Sequence, residues 1–312
     1  MRTGTGAEIA AYIREHREVT AKQLAGHFGI SPQALFKHLR KLLDHGVVRK
    51  LGSAPRVFYI PGEDLPAESE HETIAPAAEA VLATTYLHIS PSGEVYEGVE
   101  GFVQAQRKAH QSPAAEAQKY LQAWRRYQGH RTPEGLIDGR PKLTAAFKKD
   151  VHLDELYFCE FYTFPGIGRT KLGALLLYGK QGQNRELIKR VVAEVKGKIL
   201  GLIALKNVDA VAFIPPTLIR TVQFQKELER QLNIDLPHLT IVKATGTVAV
   251  PQKVLSNVKE RIENARNTIF IHPDRSYETI LLIDDAVGSG ATLNETARKL
   301  KERGYCAGSL IG

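Results

Sequence analysis

Two adjacent carboxylates followed by a loop of small residues stand near the C-terminal end of the chain. The segment TILLIDDAVGSGATLN, residues 279–294, begins as an apolar strand, reaches Asp284 and Asp285, and passes through two glycines before a predicted helix. The N-terminus of a helix offers unpaired backbone N–H groups and the positive end of a dipole, so the loop suits an anion. The two acids do not suit an anion, so their presence implies a second kind of partner.

The sequence around this segment predicts an α/β fold. From about residue 151 the chain alternates helices, at 169–180 and 185–206, with apolar strands. The predicted strands are DAVAFIPP, LTIVKA, NTIFI, TILLIDD and YCAGSLIG. Near-continuous apolar strands separated by helices are typical of a parallel sheet that is covered on both faces, and ligands bind beyond the carboxyl ends of such strands. The two acids lie at such an end.

Three common motifs do not fit this segment. A Rossmann fingerprint places its glycines directly after the strand, whereas two acids intervene here. A Walker loop requires a lysine before its hydroxyl residue, and the segment has none. A phosphorelay receiver carries paired acids near its start, and too few residues follow Asp285 to complete such a domain.

The segment resembles the phosphoribosyl pyrophosphate (PRPP) motif of the type I phosphoribosyltransferases. Both have four apolar residues, two acids, two small or apolar residues, and a loop of hydroxyl residues and glycine that ends in threonine. The matching residues after Ile280–Ile283 are Asp284, Asp285, Ala286, Val287, Gly288, Ser289, Gly290, Ala291 and Thr292. At Ala286 and Gly288 the family usually has a larger apolar residue and a threonine. One lost hydroxyl donor would weaken phosphate binding by about 1 kcal/mol.

This resemblance implies a binding site for PRPP. Asp284 and Asp285 would accept hydrogen bonds from the ribose 2- and 3-hydroxyls, and in an enzyme they would belong to the catalytic site. The loop 286–292 would bind the 5-phosphate through backbone N–H groups and through the hydroxyls of Ser289 and Thr292. Mg²⁺ would accompany PRPP and would be coordinated largely by the ligand, so no metal site made by the protein alone is expected.

Two further segments resemble the competence protein ComF-like branch of this family. Residues 213–232 resemble its strand, pyrophosphate loop and helix, which implies PRPP contacts from Pro216, Thr217 and Arg220. Residues 250–271 resemble a signature whose members here are Gln252, Leu255, Ser256, Arg261, Asn264 and Phe270. The family uses this stretch as a mobile loop over the reaction centre. There, Lys243 and the predicted catalytic residues Lys253 and Arg261 would neutralise departing pyrophosphate.

The first sixty residues predict a different kind of module. Thr20 and Gln23 form a predicted capping box, and Ser31 followed by Pro32 starts another helix. That helix is predicted to bury the leucines at 35, 39 and 42, and two short strands, VVRKL and RVFYI, follow it. The order of helix, capped helix, short turn, longer helix and basic hairpin within residues 6–60 resembles a winged helix-turn-helix.

The second resemblance implies binding to double-stranded DNA, with the third helix in the major groove and the hairpin on the backbone or minor groove. The residues expected to face DNA are Gln33, Lys37, His38, Arg40, Lys41, Arg49, Lys50 and Arg56. Residues 1–60 hold ten Lys/Arg against four acids. Phosphate neutralisation supplies most non-specific affinity for DNA, so this charge favours DNA over the protein partners that some winged helices bind.

Composition divides the chain into four predicted parts. They are a winged helix at 1–60, a Pro- and Ala-containing acidic linker at 61–80, a small α+β connecting segment at 81–150, and a phosphoribosyltransferase-like domain at 151–312. In the last part, residues 151–168 are expected to select the base. Two cysteines without metal-ligand spacing, no apolar run of membrane length and no signal peptide predict a cytoplasmic protein without a membrane partner.

Three functions fit these features. We favour a PRPP-binding, DNA-binding transcriptional regulator, because some bacterial purine repressors have a similar layout. Such a protein is expected to bind paired half-sites as a homodimer. The alternatives are a catalytic phosphoribosyltransferase that transfers phosphoribose to a nitrogenous base, and a DNA uptake or processing accessory similar to the competence proteins.

Overall fold

The computed structural model describes residues 5–62, 73–272 and 275–312. Within these ranges the chain is a mixed α/β protein with twelve α-helices, several two-stranded sheets and one three-stranded parallel sheet. Its buried apolar residues form four clusters: one in the N-terminal module, one in the connecting segment, and one on each face of the parallel sheet. No helix in the described ranges is long and apolar enough to cross a bilayer.

The N-terminal module consists of three helices and a hairpin. The elements are α1 (Thr5–His16), α2 (Ala21–Phe28), α3 (Pro32–Asp44), β1 (Val48–Ser53) and β2 (Arg56–Pro61), and the two strands pair antiparallel. Both predicted caps are present, since Gln23 N donates to Thr20 Oγ1 and Ala34 N donates to Ser31 Oγ, each at 3.3 Å. Buried residues from all five elements form its core: Ile9, Ile13, Leu24, Leu35, Leu39, Val48 and Tyr59. Leu42, which was predicted to be buried, is half-buried.

A helix begins inside the segment that was predicted to be a linker. α4 (Pro76–Thr85) packs on α5 (Gly98–Lys108) and α6 (Pro113–Gln128), and it buries Ala78 and Leu82. The linker prediction is therefore wrong for the residues that start this helix. Alanine is the best helix former and proline is well tolerated in a first helical turn, and both effects are hidden in an averaged composition. Residues 63–72 of the predicted linker lie outside the described residues.

The rest of the connecting segment contains small strands. β3 (Leu87–Ile89) and β4 (Val95–Glu97) form an antiparallel hairpin. β5 (Ile137–Asp138) pairs with β6 (Tyr157–Phe158), and β7 (Thr163–Phe164) pairs with β8 (Gly168–Arg169). Between β5 and β6 in the chain lies α7 (Arg140–Phe147), which buries Leu143 and Phe147. Strands of two residues have no periodicity to detect, so sequence reasoning did not predict them.

The C-terminal part follows the predicted alternation of helices and strands. Its helices are α8 (Lys171–Gln181), α9 (Arg185–Lys206), α10 (Phe224–Leu232), α11 (Val258–Thr268) and α12 (Ala291–Glu302). Its strands are β9 (Ala210–Phe213), β10 (Thr240–Lys243), β11 (Ile269–His272), β12 (Tyr277–Ile283) and β13 (Cys306–Ile311). β12 is the central strand of a parallel sheet in the order β13-β12-β9, where Ile280 lies opposite Ala210 and Leu310.

Two of the five strands depart from the predicted parallel arrangement. β10 and β11 pair antiparallel, with Ile241 opposite Ile271, and a parallel bridge between Val211 and His238 connects the approach to β10 with β9. β11 alternates buried Ile269 and Ile271 with exposed neighbours, which is the pattern of a strand covered on one face. The prediction of a parallel sheet is therefore confirmed for three strands and wrong for β10 and β11.

β12 is buried on both faces. Ile280 and Leu282 lie in the cluster that includes residues of α11 and α12, whereas Leu281 and Ile283 lie in the cluster that includes residues of α8, α9 and α10. Full burial of one such side chain contributes about 1.5–3 kcal/mol. This packing fixes the place where the strand ends, and Asp284 is the first residue after it.

Candidate functional site

Asp284 and Asp285 lie at the carboxyl end of the central parallel strand. The strand end is held by the neighbouring strand, since Ile214 N donates to Ile283 O at 2.9 Å. Asp285 N in turn donates to Asp284 Oδ1 at 2.7 Å, so the first carboxylate is held by the backbone of the second. Both acids are half-buried. The predicted pair is thus part of a defined turn at the sheet edge.

The surroundings of the pair disfavour its full ionisation. Burial, followed by the charge of Asp285, raises the pKa of Asp284 to about 7, although the hydrogen bond from Asp285 N and the charges of Lys180 and Lys243 act in the opposite direction. Burial lowers the pKa of Lys243, and the nearby charge of Asp284 offsets part of that effect. The turn therefore has a carboxyl group that titrates near neutral pH, with two lysines close enough to influence it.

Lys180 forms an ion pair with Asp285. It lies near the end of α8, 105 residues before its partner. Lys180 was not predicted as a site residue, because no local pattern distinguishes it from other lysines at helix ends. Only the packing of α8 against the parallel sheet brings it to the acids.

The loop after the acids leads directly into a helix. Gly290 has a φ of +85° and occupies the N-cap position of α12, where it has no side chain of its own to cap the helix. Ser289 Oγ accepts from Ala291 N at 3.3 Å, and Ala286 and Gly288 are exposed. The first turn of a helix offers its remaining backbone N–H groups and the positive end of the helix dipole. This geometry can bind an anion.

The loop after β9 occupies the same edge of the sheet, but Arg220 is not directed to a ligand. Its guanidinium donates to Lys180 O and, at 3.2 Å, to Gln181 Oε1 at the end of α8. The PRPP contact from Arg220 stays a prediction, and it would require the guanidinium to leave these acceptors at the C-terminal end of α8. Pro216 is exposed and Thr217 is half-buried in this loop.

Gln225 forms a hydrogen bond with the end of the central strand. It lies in the first turn of α10 and is only 4% exposed. Its Nε2 donates to Ile283 O at 3.3 Å, and its Oε1 has no hydrogen-bond partner among the described residues. It therefore ties α10 to the residue that precedes the acidic pair.

Lys253 and Arg261, the two cations that were predicted to be catalytic, differ in their distance from the acidic pair and its loop. Arg261 donates to Leu255 O at 3.2 and 3.0 Å, and its Nη1 lies 3.8 Å from where a Cβ on Gly288 would stand. It is therefore beside the candidate phosphate loop. Lys253 is exposed on a short 3-10 turn, Gln252–Val254. No described contact connects Lys253 with the acidic pair.

Other residues of the signature organise their own segment. Gln252 Nε2 donates to Arg261 O at 3.1 Å and to Asn264 Oδ1 at 3.0 Å. Ser256 donates through its N and Oγ to Glu260 Oε2, at 3.0 and 3.1 Å. These bonds fold residues 252–264 on themselves and so hold Arg261 near Gly288.

Residues of α7 contact the loop after the acids, although they were not predicted to belong to the site. Lys142 Nζ donates to Val287 O at 2.9 Å, and Leu143 Cδ2 lies 2.7 Å from where a Cβ on Gly290 would stand. Beyond the helix, Asn294 of α12 accepts from His152 N at 2.7 Å and donates to Asp150 O at 2.8 Å. The segment 140–152 is thereby fixed against the loop and against the first turn of α12.

The predicted DNA-facing residues are mostly accessible. Six of them are exposed on α3 and on the hairpin: Gln33, Lys37, Arg40, Lys41, Lys50 and Arg56. His38 is half-buried, and its Nδ1 lies 3.5 Å from where a Cβ on Gly6 of α1 would stand, so it faces the module itself. The prediction that His38 faces DNA does not agree with this position.

Arg49 also departs from its predicted role. It forms an ion pair with Glu94 and donates to Ser92 Oγ at 3.0 Å, so the N-terminal hairpin is tied to the turn between β3 and β4. Burial alone would raise the pKa of Glu94, but hydrogen bonds from Arg49 and Ser92 and the charge of Arg49 hold it below its usual value. This contact was not predicted, because its two partners belong to different predicted domains.

A cleft of about 590 Å³ lies beside the same hairpin. Its lining residues are His16, Arg17, Glu18, Arg49, Ile60, Pro61 and Gly62. None of them belongs to the acidic pair or to the two loops at the sheet edge. The cleft is therefore distinct from the candidate site, which is an open edge where loops meet.

No family model, no curated protein and no solved structure matches this chain. The interpretation of the site consequently rests on its own residues and on their geometry. These residues are an acidic pair at a strand end, a glycine-containing loop that starts a helix, and three cations around them, Lys180, Lys243 and Arg261.

Proposed function

We propose that the chain is a PRPP-binding, DNA-binding transcriptional regulator built from a winged helix and a phosphoribosyltransferase-type domain. The observation that carries the proposal is the position of Asp284 and Asp285. They lie at the carboxyl end of the central strand, directly before a loop that leads into a helix whose N-cap residue is a glycine. A sugar that carries a phosphate fits both features. Carboxylates accept hydrogen bonds from hydroxyls, and a helix N-terminus binds phosphate.

The surrounding cations suit the diphosphate of the same ligand. Lys180 and Lys243 influence the acidic pair, and Arg261 lies beside Gly288, so positive charge is available next to the sugar site. The described residues contain no group of three His, Cys, Asp or Glu side chains that could hold a metal ion. In this proposal Mg²⁺ is bound mainly by phosphate oxygens of PRPP, where it neutralises their charge.

The N-terminal module supports the DNA-binding half of the proposal. α3 presents Lys37, Arg40 and Lys41 to solvent, and the hairpin presents Lys50 and Arg56. A helix of this kind reads base edges in the major groove while cations on the hairpin contact phosphates. The proposed protein binds DNA as a homodimer on paired half-sites in the cytoplasm, and PRPP changes its affinity for DNA.

Calorimetric titration of Mg²⁺–PRPP into the full chain tests the ligand half. Wild-type protein should bind saturably, and Asp285→Asn should bind at least about tenfold more weakly, because a charge-assisted hydrogen bond is lost. Asp235→Asn removes one negative charge from an exposed residue of the loop after α10 and serves as the control. The absence of saturable binding to the wild-type protein would refute the ligand half of the proposal.

A catalytic phosphoribosyltransferase is the second candidate, and the cluster of Lys180, Lys243 and Arg261 favours it. Such cations would stabilise departing pyrophosphate. Incubation of the protein with Mg²⁺–PRPP and a panel of nucleobases separates the two functions. Base-dependent release of pyrophosphate would identify an enzyme, whereas binding without release, together with PRPP-dependent binding to a discrete DNA site, would identify a regulator. A preference for single-stranded DNA would instead favour the DNA-processing accessory.

A further inference from the structure

We infer that Lys142 is a positioning residue for the phosphate-binding loop. This inference rests on the proposed function, and it adds to it a part of the site drawn from α7. Lys142 Nζ donates to Val287 O at 2.9 Å across 145 residues of sequence. The ammonium also lies 5.8 Å from the centre of the Phe158 ring, a second contact that favours the same position of this exposed side chain.

The contact fixes the direction of a peptide group inside the loop. In a planar trans peptide, the carbonyl of Val287 and the N–H of Gly288 point in opposite directions. When Lys142 holds the carbonyl on its own side, the N–H of Gly288 is directed away from α7. Lys142 thereby sets the direction of one backbone donor in the segment that we propose binds the ligand's phosphate.

The rest of α7 is arranged to keep Lys142 in place. Leu143 and Phe147 are buried and lie against Gly290, at 2.7 and 3.6 Å from where a Cβ would stand on that residue. The chain after α7 is held by Asn294, which is 2% exposed and bonds to both Asp150 O and His152 N. α7 and the residues after it therefore contact the loop and the start of α12 at three positions: Val287, Gly290 and Asn294.

The ligand chemistry that this arrangement selects is a phosphate monoester. The loop before α12 lies after the acids, on the side where the sugar's 5-phosphate would be bound. The diphosphate would instead contact the cations on α8, on β10 and at the start of α11. A defect at Lys142 should therefore weaken binding of ribose 5-phosphate as much as binding of PRPP, and it should leave inorganic pyrophosphate nearly unaffected.

Calorimetry on the full chain with three probes tests this expectation. Lys142→Met should bind ribose 5-phosphate and Mg²⁺–PRPP about tenfold more weakly, because a charged donor to a backbone carbonyl is lost. Its affinity for pyrophosphate should change by less than about twofold. Lys149→Met removes the same charge from an exposed residue just beyond α7 and is the matched control. Lys142→Arg should recover most of the affinity.

A second measurement reports the position of the loop itself. The Gly288 amide resonance of the wild-type protein should shift on addition of ribose 5-phosphate, and this shift should be lost in Lys142→Met and kept in Lys149→Met. Equal losses in the two lysine variants, or equal losses for pyrophosphate and ribose 5-phosphate, would overturn the positioning role and leave the proposed function intact. Failure of the wild-type protein to bind any of the three probes would refute the proposed function and this inference with it.

Discussion

Asp284 has a charge that is unfavourable in the ligand-free protein. It follows a strand buried on both faces and precedes a second carboxylate, so burial and like charge both act against its ionisation. The ion pair of Lys180 is made with the neighbouring Asp285, and Lys243 is itself partly desolvated. A ligand with hydroxyl donors would supply what the free site lacks, since a carboxylate that accepts hydrogen bonds is stabilised in its charged form.

Replacement of Asp284 should change how stability depends on pH. Because the pKa of Asp284 is raised to about 7 in the folded state, its contribution to stability is fully present below its unfolded value near 4. That contribution is lost as the pH rises toward 7. Asp284→Asn should therefore be more stable than wild type at pH 8 by up to about 4 kcal/mol and should lose most of the wild-type decline between pH 4 and 7. Urea unfolding measured across this range checks the prediction.

Asp235→Asn is the control for that series. Its pH dependence should follow that of the wild-type protein, since Asp235 is exposed. A decline of equal steepness in Asp284→Asn and in wild type would show that Asp284 is ionised in the free protein at neutral pH.

At the scale of elements, the connection of β12 to α12 depends on a single backbone conformation. Gly290 has a left-handed φ, and Leu143 lies where a side chain would have to stand. Residues with a Cβ are strained in this region, and close contact with a packed leucine adds a steric cost. The loop therefore combines a backbone requirement with a packing requirement at one residue.

Gly290→Ala should destabilise the protein by about 2–3 kcal/mol, because strain and overlap with Leu143 both apply. Gly304→Ala is a matched control, since Gly304 has a φ of +68° but has no atom within 4 Å of the added Cβ. It should cost only about 1 kcal/mol. Chemical unfolding measures the free energy of unfolding of the two variants. Equal losses of stability would show that Leu143 can move aside without an energetic cost.

The sequence allowed prediction of the elements that have a period or a cap, and it did not allow prediction of their cross-chain contacts. The capped helices, the N-terminal hairpin and the parallel strands around β12 were predicted, because burial on one or two faces leaves a pattern in neighbouring residues. Asp284 and Asp285 were found because they interrupt such a pattern. Lys180 and Lys142 were missed because their partners lie 105 and 145 residues away. Arg49 and Arg220 were assigned to ligands because sequence does not reveal competing partners within the protein.

At the scale of the whole molecule, the ion pair between Arg49 and Glu94 joins the N-terminal hairpin to the connecting segment. Glu94 accepts hydrogen bonds from Arg49, Ser92 and Tyr96, and these bonds stabilise the charged carboxylate in this position. An arginine held in this way is less available to a DNA phosphate than an arginine in water. This ion pair should therefore restrain the DNA binding that we propose.

Glu94→Gln should strengthen DNA binding by a few fold at low salt and should steepen the dependence of log K on log salt by up to about 1, because Arg49 becomes available to a phosphate. Arg40→Ala should have the opposite effect on both quantities. Glu100→Gln removes a charge from an exposed residue of α5 and controls for net charge. Fluorescence anisotropy with a duplex at several salt concentrations measures these effects, and identical slopes for Glu94→Gln and Glu100→Gln would contradict the prediction.

The separate core of the N-terminal module has a consequence for temperature. A cluster as small as Ile9, Ile13, Leu24, Leu35 and their neighbours buries little surface, and small cores melt first. The larger clusters on the two faces of the parallel sheet should remain ordered after the module has lost its structure. In the regulator that we propose, warming should therefore release DNA at a temperature at which the C-terminal part still binds its ligand, so that the response to temperature and the response to metabolite would be set by different parts of the chain.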